Sequence, residues 1–311
     1  MKHLFLVFFS LSTFVLFSQI QKDTSYTVIS TFKKEIKKFP FIKIVNSVED
    51  ISVTKKENII YKKTGETKLH LDAFFKNDEK NLPAVVIIHG GGWSSGDKKQ
   101  MHTTANAISA KGYACFCVEY RLSDEAKFPA SINDVKDAIK YIKANAISYN
   151  VNATKVAVLG CSSGGQMAAL VATTNGKKEF EEKSSLKQSS DVQAIIDMDG
   201  ILAFHHPESK EAASASKWLG GTYEEKKEIW ENASTLTHTD KNTPPILFIN
   251  SSQPRFHAGR DDMIAILNKF GIYNEVKEFP SSPHSFWFFE PWFDDMINVT
   301  TQFLDKIFKQ K

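Results

Sequence analysis

The chain has 311 residues, with 39 Lys+Arg against 36 Asp+Glu for a net charge of +3, and it is 42% hydrophobic and 24% charged. These figures exclude a disordered tail, a collagen-like fibre, a coiled coil and a small disulfide-stapled scaffold, leaving one large α/β domain or two small ones. So small a net charge gives no electrostatic case for nucleic-acid binding.

In chain order, residues 1–18 read as a secretory signal. Lys2 supplies the positive start, Leu4 to Phe17 is an apolar stretch broken only by Ser10, Ser12 and Thr13, and Ser18 offers a small residue before Gln19. The stretch is short for a membrane span, which takes about 20 apolar residues, so an uncleaved anchor is the weaker reading. No Cys follows it to carry a lipid. The expected location is therefore periplasmic or secreted, without stable membrane insertion after cleavage. Residues 19–50 are Lys-rich and aromatic-spotted with no clear period, an extension packed on a domain that spans 51–311.

Beyond it, strands and helices alternate. Ile51–Tyr61 and Lys68–Phe75 read as early strands, followed by the all-apolar run Ala84–Ile88 expected of a strand buried on both faces. Met101–Lys111 reads as a helix stopped at Gly112, and Tyr113–Val118 as the next buried strand. A helix follows Pro129, with Ile132, Val135, Ile139 and Ile142 on one stripe. Val156–Leu159 is a further strand, Met167–Thr173 continues a helix ended near Asn175-Gly176, and Glu181–Ser190 is a polar loop. Val192–Met198 and Ile246–Asn250 are two more strands, separated by a helical insertion carrying Trp218 and Trp230. The last helix holds Met296, Val299, Phe303 and Ile307. This alternation predicts a doubly wound, mostly parallel sheet with helices on both faces and a small helical insertion before the penultimate strand. The three cysteines, Cys115, Cys117 and Cys161, are an odd number for an exported chain. Cys115 and Cys117 share one face of a strand, which points to a core role rather than a disulfide or metal site.

Chemistry concentrates at three places. Gly160-Cys161-Ser162-Ser163-Gly164-Gly165 follows the strand Val156–Leu159 and opens a helix. A nucleophile on such a strand-to-helix turn has an exposed Oγ, and the helix start favours developing negative charge. Ser162 has glycine two residues before and two after it, whereas Ser163 does not, which makes Ser162 the nucleophile. His89-Gly90-Gly91-Gly92-Trp93 follows the strand Ala84–Ile88, and its glycines let bare N–H groups point into a site. The N–H groups of Gly91, Gly92 and Ser163 are candidates for an oxyanion hole. His284, in Ser281-Ser282-Pro283-His284-Ser285 after a last strand ending near Phe279, is placed to act as general base. The adjacent His205-His206 pair lacks a second ligand cluster at a metal-site spacing and reads as a solvated loop.

Together these residues resemble the α/β-hydrolase superfamily, and within it the bacterial feruloyl and acetyl xylan esterase-like (BD-FAE-like) group near the hormone-sensitive lipase family. The resemblance covers roughly residues 51–308 and includes Glu119-Tyr120-Arg121-Leu122. It implies a serine esterase acting on a carbohydrate ester, with acetyl, methyl or feruloyl removed, and no metal or organic cofactor. The family order places the acid between Ser162 and His284, usually in the loop after the strand read here as Ile246–Asn250. This chain has Ser251-Ser252-Gln253-Pro254-Arg255 there. Asp199, at the end of the preceding strand, is the favoured acid; Asp261, which with Asp262 opens the next helix, is the runner-up. A formamidase or small exopeptidase on the same fold remains open, as does a non-catalytic binding protein, motivated by the missing acid at Pro254.

Side chains for substrate binding come from two further features. The aromatic cluster from Phe286 to Phe293 is mostly core, with Trp287, and Trp93 upstream, as candidate platforms for a sugar. Arginine is scarce, three against 36 lysines, so each marks a position where a planar bidentate donor matters. Arg121 has a structural explanation beside Glu119. Arg255 and Arg260 fall in one loop expected to rim the pocket, where one or the other would recognise an acidic sugar such as the uronate of pectin; the alternative is that one pairs with Asp261, Asp262 or Glu290 and braces the loop.

Overall fold

The buried apolar runs become the central strands of one sheet. A computed structural model of the chain describes residues 23–46, 50–210 and 213–309; the secretory signal expected over residues 1–18 lies outside them. The strands are β1 (Lys43–Ile44), β2 (Val53–Thr64), β3 (Thr67–Lys76), β4 (Leu82–Ile88), β5 (Ala114–Val118), β6 (Val151–Cys161), β7 (Ala194–Met198), β8 (Ile246–Asn250), β9 (Asn274–Glu278) and β10 (Phe289–Glu290). The α-helices are α1 (Val28–Glu35), α2 (His102–Ser109), α3 (Ala130–Ala144), α4 (Ser163–Thr173), α5 (Ala213–Leu219), α6 (Tyr223–Ala233), α7 (Thr235–His238), α8 (Arg260–Lys269) and α9 (Phe293–Phe308).

The main sheet has the order β2-β3-β5-β4-β6-β7-β8-β9. The pairs from β5 to β9 are parallel, and the β2–β3 and β3–β5 pairs antiparallel. Side chains alternate across a strand, and β4 shows the consequence. Val86 and Ile88 join the core under α3 and α4, while Val85 and Ile87 join the core under α2 and α9. Both faces are thus covered, which is why β4 carries no polar residue. All three cysteines are free and buried in the α2/α9 core. Helices α5 to α7 form the insertion between β7 and β8. Among the described residues no helix is long and apolar enough to cross a membrane.

The N-terminal region has more order than its irregular composition suggests. Thr27 and Ser30 form a capping box that starts α1. Phe32 of α1 packs on Phe289, ring centroids 6.1 Å apart, and β1 pairs with β10. α4 begins at Ser163, inside the glycine motif expected to open a helix, and β6 extends back to Val151.

Candidate active site

Ser162 directly follows β6 and stands at the N-cap of α4, with φ 56° and ψ −124°. This backbone region is sparsely populated and costs of order 1–3 kcal/mol, so the surroundings must hold it. They do so through glycine. A Cβ at Gly160 would meet the Gly164 carbonyl oxygen at 2.0 Å, and one at Gly164 would meet the Ile88 carbonyl oxygen at 2.3 Å. The turn closes on itself and on the end of β4 only because those side chains are missing.

Three of the sequence candidates converge here. Ser162 Oγ is 2.8 Å from His284 Nε2, and His284 Nδ1 is 2.9 Å from Asp199 Oδ2. Asp199 follows β7, is fully buried and has φ 52°. Its other oxygen accepts the Ser251 N–H at 2.8 Å and lies 3.4 Å from His257 Nε2. Burial alone would raise the Asp199 carboxyl. The imidazoles of His257 and His284 and the Ser251 N–H outweigh it and hold the group at about 2. A carboxylate ionised throughout the neutral range is what a histidine base needs beside its Nδ1–H. Asp261, the runner-up acid, is exposed and pairs with Arg260 instead.

His284 is held on two faces. Phe256 lies flat against it, centroids 3.4 Å apart and planes 10° from parallel, and Trp287 meets it edge-on at 5.2 Å. Neither Phe256 nor His257 carried a sequence signal beyond its place in the loop after β8. Trp287 is buried behind His284 and lines neither of the two cavities at Ser162, so its ring is not presented to a sugar.

Two cavities meet at Ser162. The larger, of about 1010 Å³, is open and includes Gly91, Gly92, Arg255 and His284. The smaller, of about 240 Å³, adds Trp93, Ile201 and Ala215 and is mainly apolar. Trp93 is largely buried: its indole N–H donates to Gln166 Oε1 at 3.1 Å, and its ring stacks on Trp218 at 4.9 Å. It forms a fixed wall, not an open platform. Among the described residues no acceptor engages the N–H groups of Gly91, Gly92 or Ser163. Behind them, His89 is buried and stacks on Tyr120, whose hydroxyl donates to the His89 carbonyl at 3.0 Å.

The arginines divide. Arg255 is exposed, lines both cavities and lies over the Phe256 ring at 4.3 Å. Arg260 lies outside both cavities. Its guanidinium is spent on Asp261 at 2.9 Å, Asn250 at 2.9 Å and Glu278 at 2.7 Å, so it braces α8 to β9 rather than meeting a ligand. Arg121 pairs with Asp134 through two hydrogen bonds of 2.8 and 2.7 Å, not with the neighbouring Glu119. In the histidine pair, His205 stacks on Tyr223 and His206 Nε2 is 2.9 Å from Asp262.

Metal-type ligands cluster elsewhere. Glu57, Asp72 and His102 approach one another closely, but Lys98 Nζ already sits 3.1 Å from Asp72 Oδ2 and meets its charge.

The BD-FAE family model matches residues 71–257, more than half of the chain. Esterase LipC of Mycobacterium tuberculosis is 27% identical over 191 residues, covering 59% of this chain and 47% of that protein. The chain spans about half the length of the curated relatives that head the comparison. Among solved structures, a truncated carbohydrate esterase from gut microbiota superposes with a TM-score of 0.70 at 25% identity, over 84% of this chain and 99% of that one. A bifunctional GH43-CE protein of Bacteroides eggerthii gives 0.68 at 27% identity, over 80% of this chain and 38% of that one.

Proposed function

The chain belongs to the BD-FAE family, and we propose that it is a serine ester hydrolase acting on a carbohydrate ester. The observation that carries the reading is the run of contacts from Ser162 Oγ through His284 to Asp199, at 2.8 and 2.9 Å, opening on the two cavities. The family match and the carbohydrate esterase among the structural neighbours support the substrate class.

The chemistry follows from the geometry. His284 Nε2 takes the Ser162 hydroxyl proton as Oγ bonds to the ester carbonyl carbon, and the carbonyl π pair moves onto oxygen. The Gly91, Gly92 and Ser163 N–H groups are the candidate donors to that oxyanion, each worth on the order of 3 kcal/mol. When the tetrahedral species collapses, the C–O bond to the leaving alcohol breaks and His284 hands its proton to the departing oxygen. Water, deprotonated by His284, then attacks the acyl-enzyme and releases the acid and Ser162. Asp199 stays ionised throughout and stabilises the imidazolium formed in each half.

The two cavities divide the substrate. The small apolar pocket beside Trp93, Ile201 and Ala215 takes the acyl group, and the open cleft takes the sugar chain. Arg255, which has no carboxylate partner among the described residues, is the group to recognise an acidic sugar, which favours a uronate-bearing polymer such as pectin. The protein works in the periplasm or outside the cell after cleavage at Ser18, a point that N-terminal sequencing of the mature protein checks.

Acetylated, methyl-esterified and feruloylated oligosaccharides, offered with 4-nitrophenyl acetate, test the function. Turnover of a carbohydrate ester, lost on fluorophosphonate labelling of Ser162, is the expected result; no turnover of any ester sinks the reading. Comparing Arg255→Lys on uronate-bearing and neutral esters tests the acidic-sugar element, for which a selective loss on the former is expected.

A further inference from the structure

The wall of the catalytic cleft is not built by the family-matched region alone. Eight of the residues lining the larger cavity fall between Ser25 and Phe39, among them Ser30, Lys34, Glu35 and Lys38. All precede residue 71, where the family match begins. We propose that Lys34 and Lys38 form, with Arg255, an anion subsite that holds the carboxylates of an acidic oligosaccharide along the cleft. The inference rests on the esterase reading for its place in a reaction, but the subsite can be tested without turnover.

Three observations carry it. First, the segment is anchored on both sides of the cleft's outer edge. The Asp23 carbonyl accepts the Gly96 N–H at 3.1 Å, and the Tyr26 carbonyl accepts from Gln100 Nε2. Phe39 meets Trp292 edge-on at 6.4 Å, and β1 is hydrogen-bonded to β10. α1 is therefore a fixed wall whose exposed face is presented to the cleft.

Second, the charges do not cancel. Lys34, Lys38 and Arg255 line the cavity with one carboxylate, Glu35. Glu35 is mostly buried and 3.7 Å from Lys34, which satisfies one of the three cations at most. Among the described residues neither Lys38 nor Arg255 has an ion-pair partner. A cleft with excess positive charge raises the local concentration of anionic ligands.

Third, the spacing suits a polymer. Lys34 and Lys38 are four residues apart across the end of α1 and line one open cavity with Arg255, so three cations border the same cleft. A chain carrying a carboxylate on successive sugars matches such a row; a neutral xylan does not use it.

Oligogalacturonate without ester groups is the probe, with binding to the full-length protein read by calorimetry. Wild type should bind, more weakly as salt rises, because charges at an open cleft are screened within about 10 Å at 0.1 M ionic strength. Lys34→Gln/Lys38→Gln should weaken binding on the order of 3–10-fold, the range that exposed charge pairs give. Neutral xylo-oligosaccharide should bind wild type and the double variant alike. Equal oligogalacturonate binding by the two proteins, or none by wild type, overturns the subsite. Hydrolysis of 4-nitrophenyl acetate by wild type, measured on the same preparation, reports separately on the esterase reading.

Discussion

His284 Nδ1 reaches Asp199 Oδ2 at 2.9 Å across 85 residues of sequence, so the imidazole after β9 is met by a carboxylate from the end of β7 and not from the loop after β8. Asp199→Asn should therefore lower kcat on a small ester by about 10⁴-fold, because an amide favours the wrong imidazole tautomer and leaves the imidazolium unstabilised. Asp261→Asn and Asp262→Asn, both on exposed carboxylates at the start of α8, should stay within about 2-fold of wild type. The reverse ranking among folded variants would move the acid to α8.

Ser162→Ala and His284→Ala should each remove turnover almost completely, by on the order of 10⁶-fold, and combining them should cost little more, since members of such a set act as a unit. Thermal unfolding of both variants should stay close to wild type. Near-normal kcat in either one excludes that residue from the chemistry.

The fold was legible because β4, β5, residues 156–161 of β6 and β8 are buried on both faces and so read as short, mainly apolar runs between turn residues. The two glycine-bearing motifs were legible for a related reason: Gly160 and Gly164 in one, and Gly91 in the other, are demanded by backbone contacts that no side chain allows. What sequence pattern did not expose is whatever depends on long-range packing. α1 carries only a short apolar stripe, Val28, Phe32 and Ile36, set among lysines, and its place at the cleft depends on packing against the distant α2/α9 core and on the β1–β10 pair. Phe256 gave no signal, since a stack on His284 depends on where two separate loops meet. For Arg260 the bracing alternative holds, because scarcity of a residue type marks a demanding position without saying whether a ligand or the carboxylates of Asp261 and Glu278 make the demand.

The stack of Phe256 on His284 fixes the plane of the imidazole, and Phe256 is a positioning residue for that reason. Phe256→Ala should lower kcat on 4-nitrophenyl acetate by on the order of 10-fold, since small losses of alignment are expensive in a positioned proton transfer. Phe256→Tyr, which keeps the ring, should recover most of the loss. Equal kcat for Phe256→Ala and wild type would show that Asp199 and Trp287 hold the base unaided.

Gly160→Ala places a methyl group 2.0 Å from the Gly164 carbonyl oxygen, backbone against backbone, with no flexible side chain to yield. The turn must open, and opening it carries Ser162 away from His284. The variant should either fail to accumulate as folded protein or, if folded, lose fluorophosphonate labelling at Ser162. Normal labelling in a stably folded variant would mean that the turn is far more compliant than its contacts indicate.

Asp197 offers a test of electrostatics two residues from the acid. It is buried at the end of β7, where loss of hydration raises its carboxyl well above the ordinary value of 3.8; the Gly200 N–H, donated to Oδ1 at 2.9 Å, works against that rise and the nearby Asp199 charge adds to it. A folded-state pKa raised above the unfolded one means that the folded protein holds the extra proton. Stability is then undiminished below about pH 4 and declines as pH rises from there through the folded value. Asp197→Asn keeps the shape and the acceptor for Gly200 but cannot ionise. Relative to wild type, its unfolding free energy should therefore climb between pH 4 and pH 8. Asp197→Ala leaves the Gly200 N–H without its acceptor and, relative to Asp197→Asn, should cost about 1–3 kcal/mol at every pH. Chemical denaturation of the three proteins at pH 4, 6 and 8 reads both effects. If wild type instead gains on Asp197→Asn as pH rises, the buried carboxyl is ionised in the folded protein and the proposed balance of burial against hydrogen bonding is wrong.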